Sequence, residues 1–381
     1  MGNKVDKILS LETKAKTYTR TKRILNIAGS LLTTGIIVAI LLSGYSVKLE
    51  EYSRSIFPGD YGALLIFVLL ISLLTGIVSF PLSFYSSYII EHKYGLSNQT
   101  LSAYFRESLK STVIGAVIGI PVILAFFFIL KTFSANWWLI FGTFIFFLSF
   151  VLGRIAPVLI LPLFYKLIPI TDPLLSQSIS EISSKAGVNV NGVFTFDMSK
   201  NTNKINAAFT GIGKSKRILL GDTLISKFTN EEIMIVFAHE AGHYFHKHIL
   251  KLTLISAALT FAGLYLTSIA YNLLVRYFAF ENITSIAALP LLGLLLGAYG
   301  FITNPLGNII SRKFEWEADT FALSSTGDSK SFISAMEKLA DSNLSEKSPN
   351  KVIEFLFHSH PSIDKRIQFA KDFASQGFAQ A

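Results

Sequence analysis

Residues 63–90 read ALLIFVLLISLLTGIVSFPLSFYSSYII, without one Asp, Glu, Lys or Arg. A helix needs about 20 consecutive apolar residues to cross a hydrocarbon core, and this stretch supplies them. Five more stretches do the same, at about Ile24–Tyr45, Thr112–Leu130, Trp137–Leu152, Leu252–Val275 and Ile283–Ile302. The fourth of the six runs on past Gly153 and Arg154 into apolar residues 155–163, where Pro157 and Pro162 leave its end open. The first stretch has a basic flank, but it is too long for the apolar part of a cleaved signal peptide. The whole chain fits this reading: 51% of its 381 residues are hydrophobic, 15% are charged and 33 are Phe, a composition far from soluble averages.

The net charge of +9 would raise nucleic-acid binding in a soluble protein. Here the Lys and Arg lie outside the apolar runs, where they suit anionic lipid headgroups, so no nucleic-acid partner is expected. Cysteine is absent, which excludes disulfides, thiolate nucleophiles and thiolate-bound metal; any metal must rest on His, Asp or Glu.

Cytoplasmic flanks carry the excess of Lys and Arg. Residues 1–23 hold Lys4, Lys7, Lys14, Lys16, Arg20, Lys22 and Arg23, and the loop 91–111 adds Lys93, Arg106 and Lys110. The opposite side has only Lys48, Arg54, Lys131 and Arg276. An inside amino terminus and six crossings place two polar regions together on the cytoplasmic face. The expected division is 1–165 with four membrane helices, 166–250 as a soluble segment, 251–311 with two more helices, and 312–381 as a helical tail.

Within the soluble segment, Asp172–Ala186 has helical periodicity, and short β-like runs follow at Val193–Phe196, Asn206–Thr210 and Arg217–Leu220. Thr229-Asn230-Glu231-Glu232 then fits a capping box. Apolar Ile233, Val236 and Phe237 carry the helix into His239-Glu240-Ala241-Gly242-His243. Two His four residues apart lie one turn above the other on a helix, so both imidazoles can reach a single metal. Glu240 beside them can take a proton from a water at a zinc ion, which is the chemistry of metal-assisted peptide hydrolysis. The short motif also fits an ordinary helix with surface histidines.

A catalytic zinc needs a third protein ligand. After the last apolar stretch, Asn308, Ser311 or Arg312, Glu315 and Asp319 recur every three to four positions on one helical face. Glu315 is the candidate ligand, and Asp319 the acceptor behind a ligand imidazole. The alternative is a solvated helix end with Arg312 and Glu315 paired.

Beyond these two segments, EHKYGLSNQT (Glu91–Thr100), IAPVLILPLFYKLIP (Ile155–Pro169), INAAFTGIGKSKRILLGDTL (Ile205–Leu224), HEAGHYFHKH (His239–His248), NIISRKFEWEAD (Asn308–Asp319) and HSHPSIDKRI (His358–Ile367) together resemble the type I CAAX prenyl endopeptidases, over most of the chain from about Tyr61 on. The resemblance implies a mainly α, polytopic helical barrel of about six membrane helices around a chamber, with a small β-sheet-containing zinc metalloprotease domain. It implies one Zn2+ held by His239, His243 and Glu315, with Glu240 as general base. Asn206 and Ala207 would hold an extended substrate by strand addition, and His360 and Arg366 would approach the scissile carbonyl as donors. His248 also matches a family position; it has no assigned role and is expected behind the ligands or in the structural framework. The implied substrate is a peptide or protein, prenylated near its C-terminus.

Two departures from the family are visible. Its longer members have seven membrane helices, and the polar residues 1–23 stand where the first would be. The insertion some members carry before the HExxH helix is absent. Rival readings are an HtpX-like quality-control protease, which shares HExxH and a later ExxAD, and an ion transporter, whose ionisable residues should interrupt the spans instead of flanking them. The compact chain without cysteine points to a bacterial inner membrane ahead of an endoplasmic-reticulum membrane.

Overall fold

A computed structural model describes residues 2–170, 192–210 and 217–375, together with 177, 179, 181–183 and 187. Among the described residues, six helical runs are long and apolar enough to cross a membrane: Leu11–Leu42, Asp60–Lys93, Leu101–Thr132, Trp137–Phe164, His248–Tyr277 and Ile286–Thr326. Each overlaps one of the six apolar stretches; the first span ends at Leu42, short of Tyr45, and the sixth begins at Ile286, after Ile283. The helices are α1 (Gly2–Leu42), α2 (Tyr45–Ile56), α3 (Asp60–Phe84), α4 (Leu101–Thr132), α5 (Trp137–Ile155), α6 (Asp222–Lys227), α7 (Asn230–Phe245), α8 (His248–Tyr277), α9 (Leu289–Thr326), α10 (Ser329–Asn343), α11 (Lys351–Phe357) and α12 (Ile363–Ser375).

Pro157 and Pro162 do not end the fourth span. The chain leaves α5 through a π turn at Ala156–Ile160 and stays helical to Phe164, because a widened turn accommodates a residue that lacks its N–H. A second π turn, Tyr85–Ile89, extends α3 in the same way.

The polar residues at the helix ends gather in two groups. At one end Arg54 pairs with Glu50 and Asp60, Lys131 reaches Asp60, and Glu50 Oε2 accepts from the Ser285 hydroxyl at 3.0 Å and the Ala287 N–H at 2.8 Å. At the other end Glu91 binds Lys22 from α1 at 2.9 Å, Lys204 at 2.8 Å and the Tyr18 hydroxyl at 2.7 Å. The turn after it completes this second clamp. Asn203 N–H donates to Leu96 O and Asn98 N–H to Asn201 O, while the Asn98 and Asn203 amides bond each other. The segment EHKYGLSNQT thus ties the membrane helices to the strand region.

That region is a four-stranded sheet of β1 (Leu167–Pro169), β2 (Val193–Phe196), β3 (Ala207–Thr210) and β4 (Arg217–Gly221), in the order β1-β2-β4-β3. Strand β2 runs parallel to β4; the other pairs are antiparallel. The three expected β runs are strands, and β1 is an addition: three residues ending in a proline give no alternation to read. The helix expected at Asp172–Ala186 lies largely outside the described residues. Ile218 and Leu220 of the sheet pack with Ile233 and Phe237 of α7 and with Phe332 of α10 in the largest buried cluster.

Helix α9 is a single helix of 38 residues. At 1.5 Å per residue, Glu315 stands about 39 Å from its start, beyond a hydrocarbon core about 30 Å thick. Removing the carboxylate at the second clamp with Glu91→Ala takes the shared anion from Lys22 and Lys204, which keep the Ser86 carbonyl and the Tyr18 hydroxyl. Thermal unfolding in detergent is expected to show a loss of about 1–3 kcal/mol, and an unchanged melting temperature would show the clamp to be dispensable.

Candidate active site

The capping box forms. Thr229 accepts from the Glu232 N–H while Glu232 accepts from the Thr229 N–H, and Lys338 and Ser334 of α10 hold the same carboxylate. The start of α7 is thereby fixed and its far end buries His239. Helix α9 crosses α7 at Gly242. A Cβ placed there would stand 3.0 Å from Ala318 Cα and 3.0 Å from Phe321 Cβ, so any larger residue would push the helices apart by a few tenths of an ångström.

The crossing brings His239, His243 and Glu315 together, with one donor atom from each within 4.8 Å of the others. His239 Nε2 and His243 Nε2 are 3.2 Å apart, and Glu315 places Oε2 3.3 Å from the first and Oε1 3.4 Å from the second. Glu315 is 4% exposed, and its Oε2 accepts no hydrogen bond even though His360 Nδ1 stands 2.8 Å away, off line for donation. Two imidazole nitrogens and a buried carboxylate converging on one point form a donor set that fits a divalent cation with His and carboxylate preferences. Burial disfavours charge on His239, but the carboxylates of Asp319 and Glu315 beside it prevail and lift its pKa to about 10. The pocket therefore favours positive charge.

Behind His239, its Nδ1 lies 2.8 Å from Asp319 Oδ1, and Asp319 is fully buried. The guanidinium of Arg366 takes both oxygens of Asp319, from Nε at 2.8 Å and Nη2 at 2.5 Å. Arg366 thus sits one layer further back than expected, engaged by Asp319 instead of facing an open carbonyl. Glu240, half-buried, adds its charge to those around Arg366. His360 is 63% exposed at its side chain and stands on the open side of the cluster. Arg312 does not pair with Glu315. It donates to the carbonyls of Glu354 and His358, and Asn308 donates to Leu356 O, so the other half of the polar stripe holds the segment that carries His360.

Asn206 and Ala207 stand apart from this cluster, at the edge strand β3, which touches α7. Asn343 fixes the residue before them, accepting from the Ile205 N–H at 2.7 Å and donating to its carbonyl at 3.1 Å. Sequence reasoning did not find Asn343, nor the contacts of His248 with His243 and Glu317. All of these join residues through turns or over long separations.

Gly242→Val places branched carbons where there is no room, and overpacking of this kind costs about 1–3 kcal/mol. The variant is expected to lose bound metal and peptidase activity together; a fully metal-loaded, active Gly242→Val would refute the tight crossing.

Comparison with known proteins agrees with the geometry. Residues 169–374 match peptidase family M48, and residues 3–166 match the CAAX prenyl protease N-terminal region, described as five membrane helices. In this chain that region holds four of the long apolar helices. The chain is 31% identical to the uncharacterized metalloprotease YhfN of Bacillus subtilis, over 94% of this chain and 84% of that one. It is 30% identical to CAAX prenyl protease 1 of Saccharomyces cerevisiae, over 82% and 72%. The crystal structure of S. mikatae Ste24p superposes with a TM-score of 0.85 at 26% identity, covering 95% of this chain and 89% of that one. The chain belongs to peptidase family M48 and is a multi-pass membrane metalloprotease.

Proposed function

We propose that the enzyme is a zinc endopeptidase that cleaves near the C-terminus of prenylated CAAX-type polypeptides, with its site on the cytoplasmic face of the membrane. The observation that carries this reading is the convergence of His239, His243 and Glu315 where α7 crosses α9. Two imidazoles and one carboxylate are a ligand set of catalytic zinc, which leaves one position open. When bound, zinc polarises the scissile carbonyl and brings the pKa of a water towards neutrality.

The chain's own residues do the rest. Glu240 accepts the proton of the attacking water on its carboxylate and delivers it to the leaving amine. His360, exposed on the open side, donates to the oxyanion that develops on the substrate. Asp319 accepts from His239 Nδ1 and so directs Nε2 to the metal, while Arg366 holds Asp319 in place.

The substrate would add to the sheet as a further strand at β3. The Gly221 N–H donates to Asn206 O, making Asn206 and Gly221 a hydrogen-bonded pair. Antiparallel pairs alternate, so the N–H and C=O of Ala207 point outward to the open edge. The exposed Asn206 side chain stands next to them.

A prenylated substrate is supported by relatives named as CAAX prenyl proteases in yeast and Arabidopsis. The cytoplasmic placement is supported by the cations of residues 1–23 and 91–111, and the division at about residues 165, 250 and 311 by the alternation of apolar and polar segments. A bacterial inner membrane is supported by the Bacillus relative.

Purified protein given a farnesylated CAAX peptide and its unmodified counterpart tests this. The wild type is expected to cleave the farnesylated peptide faster, to stop on chelation and to recover with zinc. Glu240→Gln is expected to keep zinc and lose about 10²–10⁴-fold in rate. Equal rates on both peptides would transfer the enzyme to general membrane proteolysis, and an active Glu240→Gln would remove the assigned base. Ala207→Pro takes away an outward N–H without breaking a β4 bond, so KM should rise several-fold with kcat nearly unchanged; an unaltered KM would rule out strand addition at this edge.

A further inference from the structure

A second chain of polar atoms starts at the rear nitrogen of His243. Helix α7 ends at Phe245, and Lys247 takes a left-handed conformation with φ 57°. This turn folds His248, the first residue of α8, back under His243. His248 is 1% exposed, and its ring lies flat on Phe314 with centroids 4.2 Å apart and planes 8° apart. Its Nδ1 is 2.9 Å from His243 Nδ1, and its Nε2 is 2.9 Å from Glu317 Oε2. Lys251 Nζ at 3.6 Å and His246 Nδ1 at 4.0 Å also face Glu317.

Proton positions follow from these partners. A carboxylate accepts and does not donate, so His248 Nε2 holds the proton it gives to Glu317. A neutral His248 then presents a lone pair at Nδ1, and His243 Nδ1 must be the donor. That leaves the lone pair of His243 on Nε2, the atom that faces His239 Nε2 and Glu315. Asp319 settles the tautomer of His239 from the same helix, four positions after Glu315; Glu317, two positions after it, settles that of His243 through His248.

We propose that His248, oriented by Glu317, is a positioning residue that fixes the tautomer and ring direction of His243 for metal binding. The inference rests on the reading of His239, His243 and Glu315 as zinc ligands. Loss of a partner behind a ligand imidazole typically weakens metal affinity about 10–100-fold, and the chemistry of the replacement can be chosen. In His248→Asn the amide oxygen can stand near the place of Nδ1 and accept from His243. In His248→Gln the amide falls near Nε2 and reaches Glu317 without serving His243. His248→Ala offers neither.

Zinc affinity is measured on the full chain in detergent by competition with a chromogenic chelator, alongside thermal unfolding of the metal-free proteins. His248→Ala and His248→Gln are expected to bind zinc at least 10-fold more weakly than wild type, and His248→Asn to recover most of the loss. A role in packing alone would lower the melting temperature of all three without ranking Asn above Gln. Three variants within twofold of the wild-type affinity, or equal losses for Asn and Gln, would overturn the proposal. A wild type that takes up no zinc removes the ligand set, and the inference with it.

Discussion

Everything at the active site depends on the contact between Gly242 and Ala318. Helix α7 follows the strand region, and α9 continues the last apolar span past its apolar residues; nothing in local sequence brings them together. The absence of a side chain at residue 242 allows the α9 backbone to come within ordinary van der Waals reach. At that separation the imidazoles of His239, one turn before the glycine, and of His243, the next residue, meet a carboxylate from the facing helix at one point. A methyl group more between the helices would move Glu315 by a distance comparable to the tolerance of a metal–ligand bond.

The crossing also determines how charge is distributed. Asp319 is buried without exposed surface, a costly position for a carboxylate unless it is paired and hydrogen-bonded. Arg366 from α12 supplies both oxygens with donors, and His239 supplies another. The C-terminal helix is therefore part of the site by electrostatic necessity. Further from the cluster, Glu91 and the turn after it hold the strand region to α1 and α3, while Asn343 holds the residue in front of the edge strand. The membrane helices and the peptidase segment form one framework in which the open edge and the ligand cluster share α7.

Much of this was legible in the sequence, where the signal is local or periodic. Six apolar runs identified six spans because hydrocarbon thickness sets a minimum length. The capping box and the HExxH helix followed from spacing, and Glu315 stood out because polar residues on a helix beginning in a membrane need a reason. Of the stripe Asn308, Arg312, Glu315 and Asp319 only the last two were given a part in the site, and the other half holds carbonyls near His360. Arg366 was placed at the substrate because its partner Asp319 lies 47 positions earlier and burial cannot be read from a motif. His248 was expected only as a supporting or structural residue, and its approach to His243 was not foreseen because it requires a left-handed lysine, which carries no sequence signature. Strand β1 is too short to alternate, and the prolines of the fourth span are accommodated by a π turn that composition does not announce.

The central claim is that a metal sits between α7 and α9 on two imidazoles and one carboxylate. X-ray absorption at the zinc edge on the purified protein tests it directly. The account predicts one zinc per chain with two nitrogen ligands at about 2.0–2.1 Å and oxygen ligands at about 2.0–2.2 Å, and loss of one nitrogen scatterer in His243→Ala. A protein that binds no zinc, or a spectrum unchanged by His243→Ala, would contradict it.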